Sequence, residues 1–430
     1  MNLPRLRSAV LREAQHDMDN MIETLCEKFE IRSDIRDAAS RAQERLRGVT
    51  YAAQERVKAS VLAAFLEEGV AESDFAGSTG YGYDDAARQR YESLLCRIFG
   101  TERALARLSF VSGTHAIVAS LAACVPPGKT LLSISGNPYD TLRNAIVSAP
   151  YSLCSTGVLY VEEDWAPRLR SAVLRHAQHD NVSAIFIQRS RGYAPRPSID
   201  IAQCEELIAR AKATYPGAAV LVDNCYGELV EDREPTHVGA DLVMGSLIKN
   251  LGGTFAPAGG YVAGRADLVD RVAARLFAPG LGDALGPTLG FGRAFIQGLF
   301  AAPLVVEQTL RGLDFAAALF AELGYAVDPQ PGAPRTDIVQ AIRLGSPEKL
   351  VRFAQALQKA MPVNARFAPE PGSVPGYVDP VIMSSGSFVG GATVELSCDA
   401  PLREPYEVYL QGGMHAAHTA LGALLAAQGL

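Results

Sequence analysis

Three short polar stretches of this sequence each follow an apolar run and carry residue types suited to cofactor chemistry. In chain order they supply Ser112, Gly113, Thr114 and His115, then Asp223 and Asn224, then Ser246 and Lys249. Small residues at the start of a helix offer backbone N–H groups to an anion. A carboxylate and a lysine amine complete the set that pyridoxal 5'-phosphate needs, because its phosphate requires donors, its pyridine nitrogen an acid partner and its aldehyde an amine.

The elements that must position these stretches alternate between short apolar runs and helix-length segments. The runs are ALARLSFV, TLLSIS, SAIFIQ, AVLVDN, DLVMGS and GGYVAG. Continuous apolar runs in this arrangement are typical of buried parallel strands. We therefore expect an α/β fold with a mostly parallel sheet, and ligands of such sheets lie beyond the carboxyl ends of the strands.

The pattern predicts three parts. Residues 1–68 form a helical arm whose first 17 residues are loosely held, residues 69–325 form the large α/β domain, and residues 326–430 form a smaller α+β domain. In the last part DIVQAIRL, PVIMSSGSFV and TVELSC are strand-like, and the segments around 350–359 and 413–428 are helical.

A 14-residue segment occurs twice. Pro4–Asp17 and Pro167–Asp180 differ only where Glu13 is replaced by His176. Since unrelated surroundings cannot both specify one sequence, we predict that the second copy is a tolerated insertion whose deletion leaves the fold and cofactor binding intact. The alternative is that Leu169, Val173 and Leu174 have been recruited into an amphipathic connecting helix.

The composition argues against several classes of protein. The 430 residues include 40 basic and 47 acidic side chains, and a net charge of −7 disfavours a nucleic-acid partner. No apolar run is long enough for a membrane span, and the start of the chain lacks an apolar signal region, so we expect a cytoplasmic protein. Seven cysteines without CxxC spacing, and His415 and His418 without a carboxylate partner, predict neither disulfides nor a metal site.

Taken together, several motifs resemble the fold-type-I pyridoxal-phosphate enzymes of cysteine and methionine metabolism. The resemblance is to methionine gamma-lyase and cystathionine beta-lyase family proteins of the aluminium-resistance branch, and it extends from about Phe75 to the carboxyl end. The motifs are GYGYDD (80–85), VSGTHAI (111–117), VDNCYGE (222–228), GSLIKN (245–250) and VYLQGG (408–413). The resemblance implies a carbon–sulfur lyase that acts on a sulfur-containing amino acid by beta- or gamma-elimination.

The resemblance also implies roles for individual residues. Lys249 would carry the cofactor and move protons, and Asp223 would partner the pyridine nitrogen. Gly113 and Thr114 would bind the phosphate with help from Ser246, and His115 would lie on the cofactor ring.

Related lyases send a tyrosine and an arginine, two residues apart, into the neighbouring subunit's site. Here Tyr81 and Tyr83 occupy that spacing, so the arginine is missing. We expect a homodimer or homotetramer with shared active sites.

An amino-acid substrate needs a clamp for its carboxylate, which arginine supplies best. Glu395 stands near the position of the usual clamp arginine, so Arg403 is the first substitute, and Arg189 and Arg191 are its rivals. Two other functions stay open: an aldolase or aminotransferase on the same scaffold, and a pyridoxal-phosphate-binding stress protein without turnover.

Overall fold

The computed structural model describes residues 20–166 and 179–430. The first copy of the repeated segment lies outside these ranges, as do all but the last two residues of the second copy. The deletion of the second copy therefore remains a prediction. No helix in the described part is long and apolar enough to cross a membrane.

The described residues divide into two compact units. One contains Ala53–Leu304 and Pro375–Val378; the other contains the described residues up to Ala52 together with Val305–Val374 and Asp379–Leu430. The helices are α1 (20–28), α2 (Ser33–Arg45), α3 (Ala52–Glu67), α4 (Ala86–Phe99), α5 (Gly113–Cys124), α6 (Asp140–Arg143), α7 (Ile201–Thr214), α8 (Ala266–Leu276), α9 (Gly292–Glu322), α10 (Pro347–Gln358) and α11 (Ala416–Gly429).

The first unit is built on a seven-stranded sheet with the order β1-β7-β6-β5-β4-β2-β3. Its strands are β1 (Arg103–Arg107), β2 (Thr130–Ser133), β3 (Leu159–Glu162), β4 (Val182–Gln188), β5 (Ala219–Asp223), β6 (Leu242–Ser246) and β7 (Gly260–Gly264). Only β7 runs antiparallel to its neighbours, β1 and β6. The carboxyl ends of β1, β2, β4, β5 and β6 therefore meet at one edge, and the predicted α/β class is confirmed.

Burial explains why these apolar runs become strands. All five residues of β5 are buried, and so are all five of β6, as expected for strands covered on both faces. Helix α5 packs on this layer through side chains such as Ile117 and Leu121, which have no exposed surface. Each such side chain contributes roughly 1.5–3 kcal/mol by leaving water, so the sheet holds the loops at its carboxyl edge firmly.

The second unit contains a five-stranded antiparallel sheet in the order β10-β11-β12-β9-β8. Its strands are β8 (Ala326–Asp328), β9 (Val339–Arg343), β10 (Val381–Ser385), β11 (Ser397–Pro401) and β12 (Glu407–Gln411), accompanied by α10 and α11. The strand predicted for TVELSC is wrong in its first four residues, which lie in a turn. At this turn the Glu395 carboxylate accepts hydrogen bonds from the N–H groups of Phe388 (2.7 Å) and Val389 (3.2 Å), which compete with strand pairing.

Candidate active site

Three of the predicted stretches meet at the carboxyl edge of the large sheet. Asp223 is the last residue of β5, Ser246 is the last residue of β6, and Lys249 follows Ser246 by three residues. The start of α5 lies directly against them: a Cβ added at Gly113 would be 3.1 Å from Cβ of Ser246 and 3.3 Å from Sγ of Cys225. An added Cβ would be tightly packed at these distances, so glycine favours this close approach of the helix to the strand ends, where the cradle lies.

The amino terminus of α5 is arranged to receive an anion. Ser112 caps the helix by accepting a hydrogen bond from the N–H of His115 at 3.1 Å. The N–H groups of Gly113 and Thr114 lie in the first turn, where a helix has no internal acceptors for them. Ser246 brings a hydroxyl to the other side of the cradle, since its Cβ lies 3.1 Å from the position of an added Gly113 Cβ. These donors suit a phosphate group.

Asp223 supplies a buried carboxylate beside the cradle. Its side chain is 3% exposed, and Oδ1 accepts a hydrogen bond from the N–H of Cys225 at 3.0 Å. Burial raises the pKa of Asp223, while that hydrogen bond and the charges of Lys249 and Arg196 act in the opposite direction. A protonated ring nitrogen placed against this carboxylate would offset its desolvation.

The Lys249 amine faces an aromatic ring. Nζ lies 3.6 Å from the centroid of the Tyr226 ring. Burial by itself lowers the pKa of Lys249, but Tyr226, Cys225 and Asp223 outweigh it, so the pKa is raised above the ordinary lysine value. A phosphate cradle, a carboxylate and an amine thus occupy three parts of one site, as the three functional ends of pyridoxal 5'-phosphate require.

Arg189 contacts the residues that follow Asp223, and its guanidinium forms hydrogen bonds with other groups of the protein. Its guanidinium is fully buried, and Nη1 donates to Oδ1 of Asn224 (2.9 Å) and to the carbonyl of Gly227 (3.0 Å). Nη2 donates to the Glu231 carboxylate. Asn224 also donates to Glu234 at 2.7 Å. Arg189 and Asn224 thereby hold the turn that follows β5.

The other two predicted arginines lie in different places. Arg191 is buried in the loop after β4, where its backbone N–H donates to Ser198 Oγ at 3.1 Å. Arg403 belongs to the second unit, where its guanidinium donates to Asp379 at 3.3 Å.

His115 is partly buried, whereas the two predicted tyrosines are exposed. The His115 ring packs edge-on against Phe110 with a centroid distance of 5.5 Å. Tyr81 and Tyr83 are 74% and 58% exposed and stand 5.9 Å apart. Their loop is nevertheless fixed, because Arg88 donates to the carbonyl of Gly82 at 2.6 Å.

Two aromatic residues at the site were not predicted. Tyr139 follows β2, and its hydroxyl forms a 2.8 Å hydrogen bond with the Thr114 hydroxyl. Burial raises the pKa of Tyr139 well above its ordinary value, so the phenol stays protonated. The sequence feature that could have indicated Tyr139 is its position after a predicted strand, in the stretch NPYD. Tyr226 stands inside the VDNCYGE motif, but no spacing rule points its ring at Lys249.

The family of the chain follows from its similarity to known proteins. Residues 32–430 match the model of the methionine gamma-lyase family. The uncharacterized protein YnbB of Bacillus subtilis is 42% identical over 370 residues, which are 85% of this chain and 88% of YnbB.

Solved structures agree with the family match. A candidate cystathionine beta-lyase involved in aluminium resistance, from Clostridium acetobutylicum, superposes with a TM-score of 0.88 at 40% identity, covering 95% of this chain and 98% of that one. A carbon–sulfur lyase involved in aluminium resistance, from Clostridium novyi, gives a TM-score of 0.86 at 35% identity, with 94% and 98% covered. The family resemblance predicted from the motifs is confirmed, and this chain belongs to the methionine gamma-lyase family.

Proposed function

We propose that the protein is a pyridoxal-phosphate-dependent carbon–sulfur lyase that cleaves a sulfur-containing amino acid by beta- or gamma-elimination. The observation that carries the proposal is the meeting of Lys249, Asp223 and the amino terminus of α5 at the carboxyl edge of the large sheet. Membership of the family supports the same class of reaction and implies the cofactor.

The residues present fit pyridoxal 5'-phosphate. The N–H groups of Gly113 and Thr114, with the hydroxyls of Thr114 and Ser246, would hold the phosphate, and the Asp223 carboxylate would keep the ring nitrogen protonated. When bound, the cofactor supplies an electron sink for the carbanion that forms at the substrate α-carbon.

The amine of Lys249 is the group that moves the proton. We assign it to bind the cofactor aldehyde between turnovers and to take the proton from the substrate α-carbon during turnover. The Tyr139 phenol, linked to the Thr114 hydroxyl, closes the site beside the phosphate cradle. His115 stays at the first turn of α5, where it would lie along the cofactor ring.

The substrate carboxylate needs a cation of its own. Because the nitrogens of Arg189 already donate to Asn224, Gly227 and Glu231, we propose Arg403 or Arg191 for this role. Replacement of each by lysine separates them, since the clamp variant should show a raised KM for the amino acid while the other variant should not.

We also propose that the active unit is a homodimer or homotetramer with shared active sites. Tyr81 and Tyr83 support this, because two large aromatic side chains are exposed on a loop whose backbone is fixed by Arg88. Across an interface they would complete the phosphate site of the partner subunit.

The proposed reaction is tested by incubating the cofactor-loaded protein with cystathionine, cysteine and methionine and measuring ketoacid and thiol. Release of both, and loss of both in the Lys249→Ala variant, is the expected result. Ketoacid without thiol would indicate an aminotransferase and overturn the lyase assignment. A protein that binds the cofactor but releases neither product from any of these amino acids would instead be a binding protein.

A further inference from the structure

Tyr226 adopts a backbone conformation that a bulky side chain rarely takes. Its φ angle is +72°, in the left-handed region that favours glycine. Such residues persist only where the surroundings over-determine them, and they concentrate at functional sites. The neighbouring Gly227 would have been a less strained place for this turn to bend, so the conformation of Tyr226 calls for a reason.

The surroundings fix this conformation from two sides. Asn250, the residue after Lys249, donates through Nδ2 to the carbonyls of Tyr226 (3.0 Å) and Glu228 (2.8 Å). On the other side Arg189 donates to the carbonyl of Gly227, and a Cβ added at Gly227 would lie 2.5 Å from Nη1 of Arg189. The turn after β5 and the loop that carries Lys249 are thus joined by hydrogen bonds.

With the backbone held in this way, the Tyr226 ring contacts Lys249. Nζ of Lys249 lies 3.6 Å from the centroid of the ring. An ammonium at this distance from an aromatic face is attracted by the negative charge of the ring face, most strongly where water is excluded.

We propose that Tyr226 is a positioning residue whose ring holds the Lys249 amine at the carboxyl ends of β5 and β6. This inference rests on the proposed function for the meaning of Lys249, but the contact itself does not depend on turnover. Through it the amine keeps one place when it is not bound to the cofactor, ready for the aldehyde and for the α-proton.

Tyr226 acts on the amine through its ring face and through its hydroxyl, and it is one of four residues that influence the charge on the amine. The others are the Asp223 carboxylate at the end of β5, and the Cys225 thiol and the Glu228 carboxyl in the turn after it. A test must therefore change the ring and leave these three in place.

Tyr226→Phe and Tyr226→Leu form a matched pair. Both keep a Cβ at the strained position and an apolar side chain against the amine, but only phenylalanine keeps an aromatic face. The readout is trace acetylation of the cofactor-free full-length protein with acetic anhydride between pH 8 and 11. Peptide mass analysis measures label on Lys249 relative to the exposed Lys129. No step of this measurement requires enzyme activity.

We expect Tyr226→Phe, which loses the hydroxyl but keeps the aromatic face, to label between the wild type and Tyr226→Leu. In Tyr226→Leu the pKa of Lys249 should fall by about one unit, so that labelling at pH 9 rises about tenfold. Identical profiles for Phe and Leu, or an equal shift in both, would overturn the role of the ring. If thermal unfolding shows that the leucine variant does not fold, Tyr226→Met makes the same comparison. Failure of the lyase assay with an intact Phe/Leu difference would reject the proposed function alone.

Discussion

The Tyr261 hydroxyl donates a hydrogen bond of 2.9 Å to Oε1 of Glu228, and both side chains are fully buried. The pair lies against Gly245 of β6, where an added Cβ would be 2.7 Å from that same oxygen. Glycine in the GSLIKN motif thus makes room for a buried carboxyl group close to the cofactor site.

This carboxyl group predicts a pH dependence of stability. Burial raises the pKa of Glu228 to about 8, so the folded chain holds the proton more tightly than the unfolded chain, whose glutamate pKa is about 4.3. The stabilising contribution is therefore complete below about pH 4 and is lost as the pH rises towards 8. Glu228→Gln removes the titration, so its Tm relative to the wild type should rise between pH 5 and pH 9 by roughly 3–10 °C.

Glu27→Gln, at an exposed glutamate, is the control and should show no such trend. A Tm difference between Glu228→Gln and the wild type that is constant from pH 5 to 9 would show that Glu228 does not titrate in this range.

Arg189 should matter for stability more than for substrate affinity. Arg189→Met removes the donor that holds Asn224 and Gly227 and leaves the carboxylate of Glu231 without its cation. Loss of one partner of a fully buried pair costs roughly 3–5 kcal/mol, and the cost here is smaller because the Glu231 side chain is 24% exposed. We expect a Tm lowered by several degrees or more, measured by circular dichroism. A variant with unchanged Tm and a raised KM would instead place Arg189 at the substrate.

Asp223→Asn should impair turnover more than cofactor retention. The amide keeps the shape of the side chain but loses the charge that favours a protonated ring nitrogen. We expect kcat to fall roughly 100-fold or more, the scale of a lost electrostatic contribution. The dissociation constant for pyridoxal phosphate should change far less, because the phosphate donors are untouched. Absorbance titration gives the second quantity, and near-normal kcat would remove Asp223 from this role.

The shared-site proposal predicts complementation. A Lys249→Ala subunit has an intact Tyr81, and a Tyr81→Phe subunit has an intact Lys249. Mixed dimers should regain activity in one of their two sites after subunit exchange, whereas each variant alone is defective. Activity is measured before and after mixing. A fully active monomer in sedimentation would contradict shared sites outright.

The sequence predicted the parts of the fold that obey local rules. Apolar runs located β4, β5 and β6 because a strand buried on both faces must be apolar throughout. The small polar residues after ALARLSFV located the start of α5, because Ser112 can cap a helix and Gly113 can approach a strand.

Other features could not be predicted because they depend on hydrogen bonds that no local sequence pattern indicates. Glu395 stands in a strand-like pattern, but the chain turns there, and its carboxylate accepts hydrogen bonds from the N–H groups of Val389 and Phe388, six and seven residues earlier. Arg189 follows a strand as a ligand-binding arginine would, and only the fold shows that its nitrogens donate to Asn224 and Glu231. The conformation of Tyr226 depends on Asn250 and on the turn around Arg189, which no local pattern encodes.

Borohydride reduction tests most directly whether Lys249 is the residue that carries pyridoxal phosphate. The purified protein is reduced, digested and mapped by peptide mass, with Lys249→Ala treated in parallel. We predict that the cofactor becomes fixed to the peptide containing Lys249 and that the variant acquires no covalent label. Label on another lysine, or a wild-type protein that binds no pyridoxal phosphate, would contradict this role of Lys249.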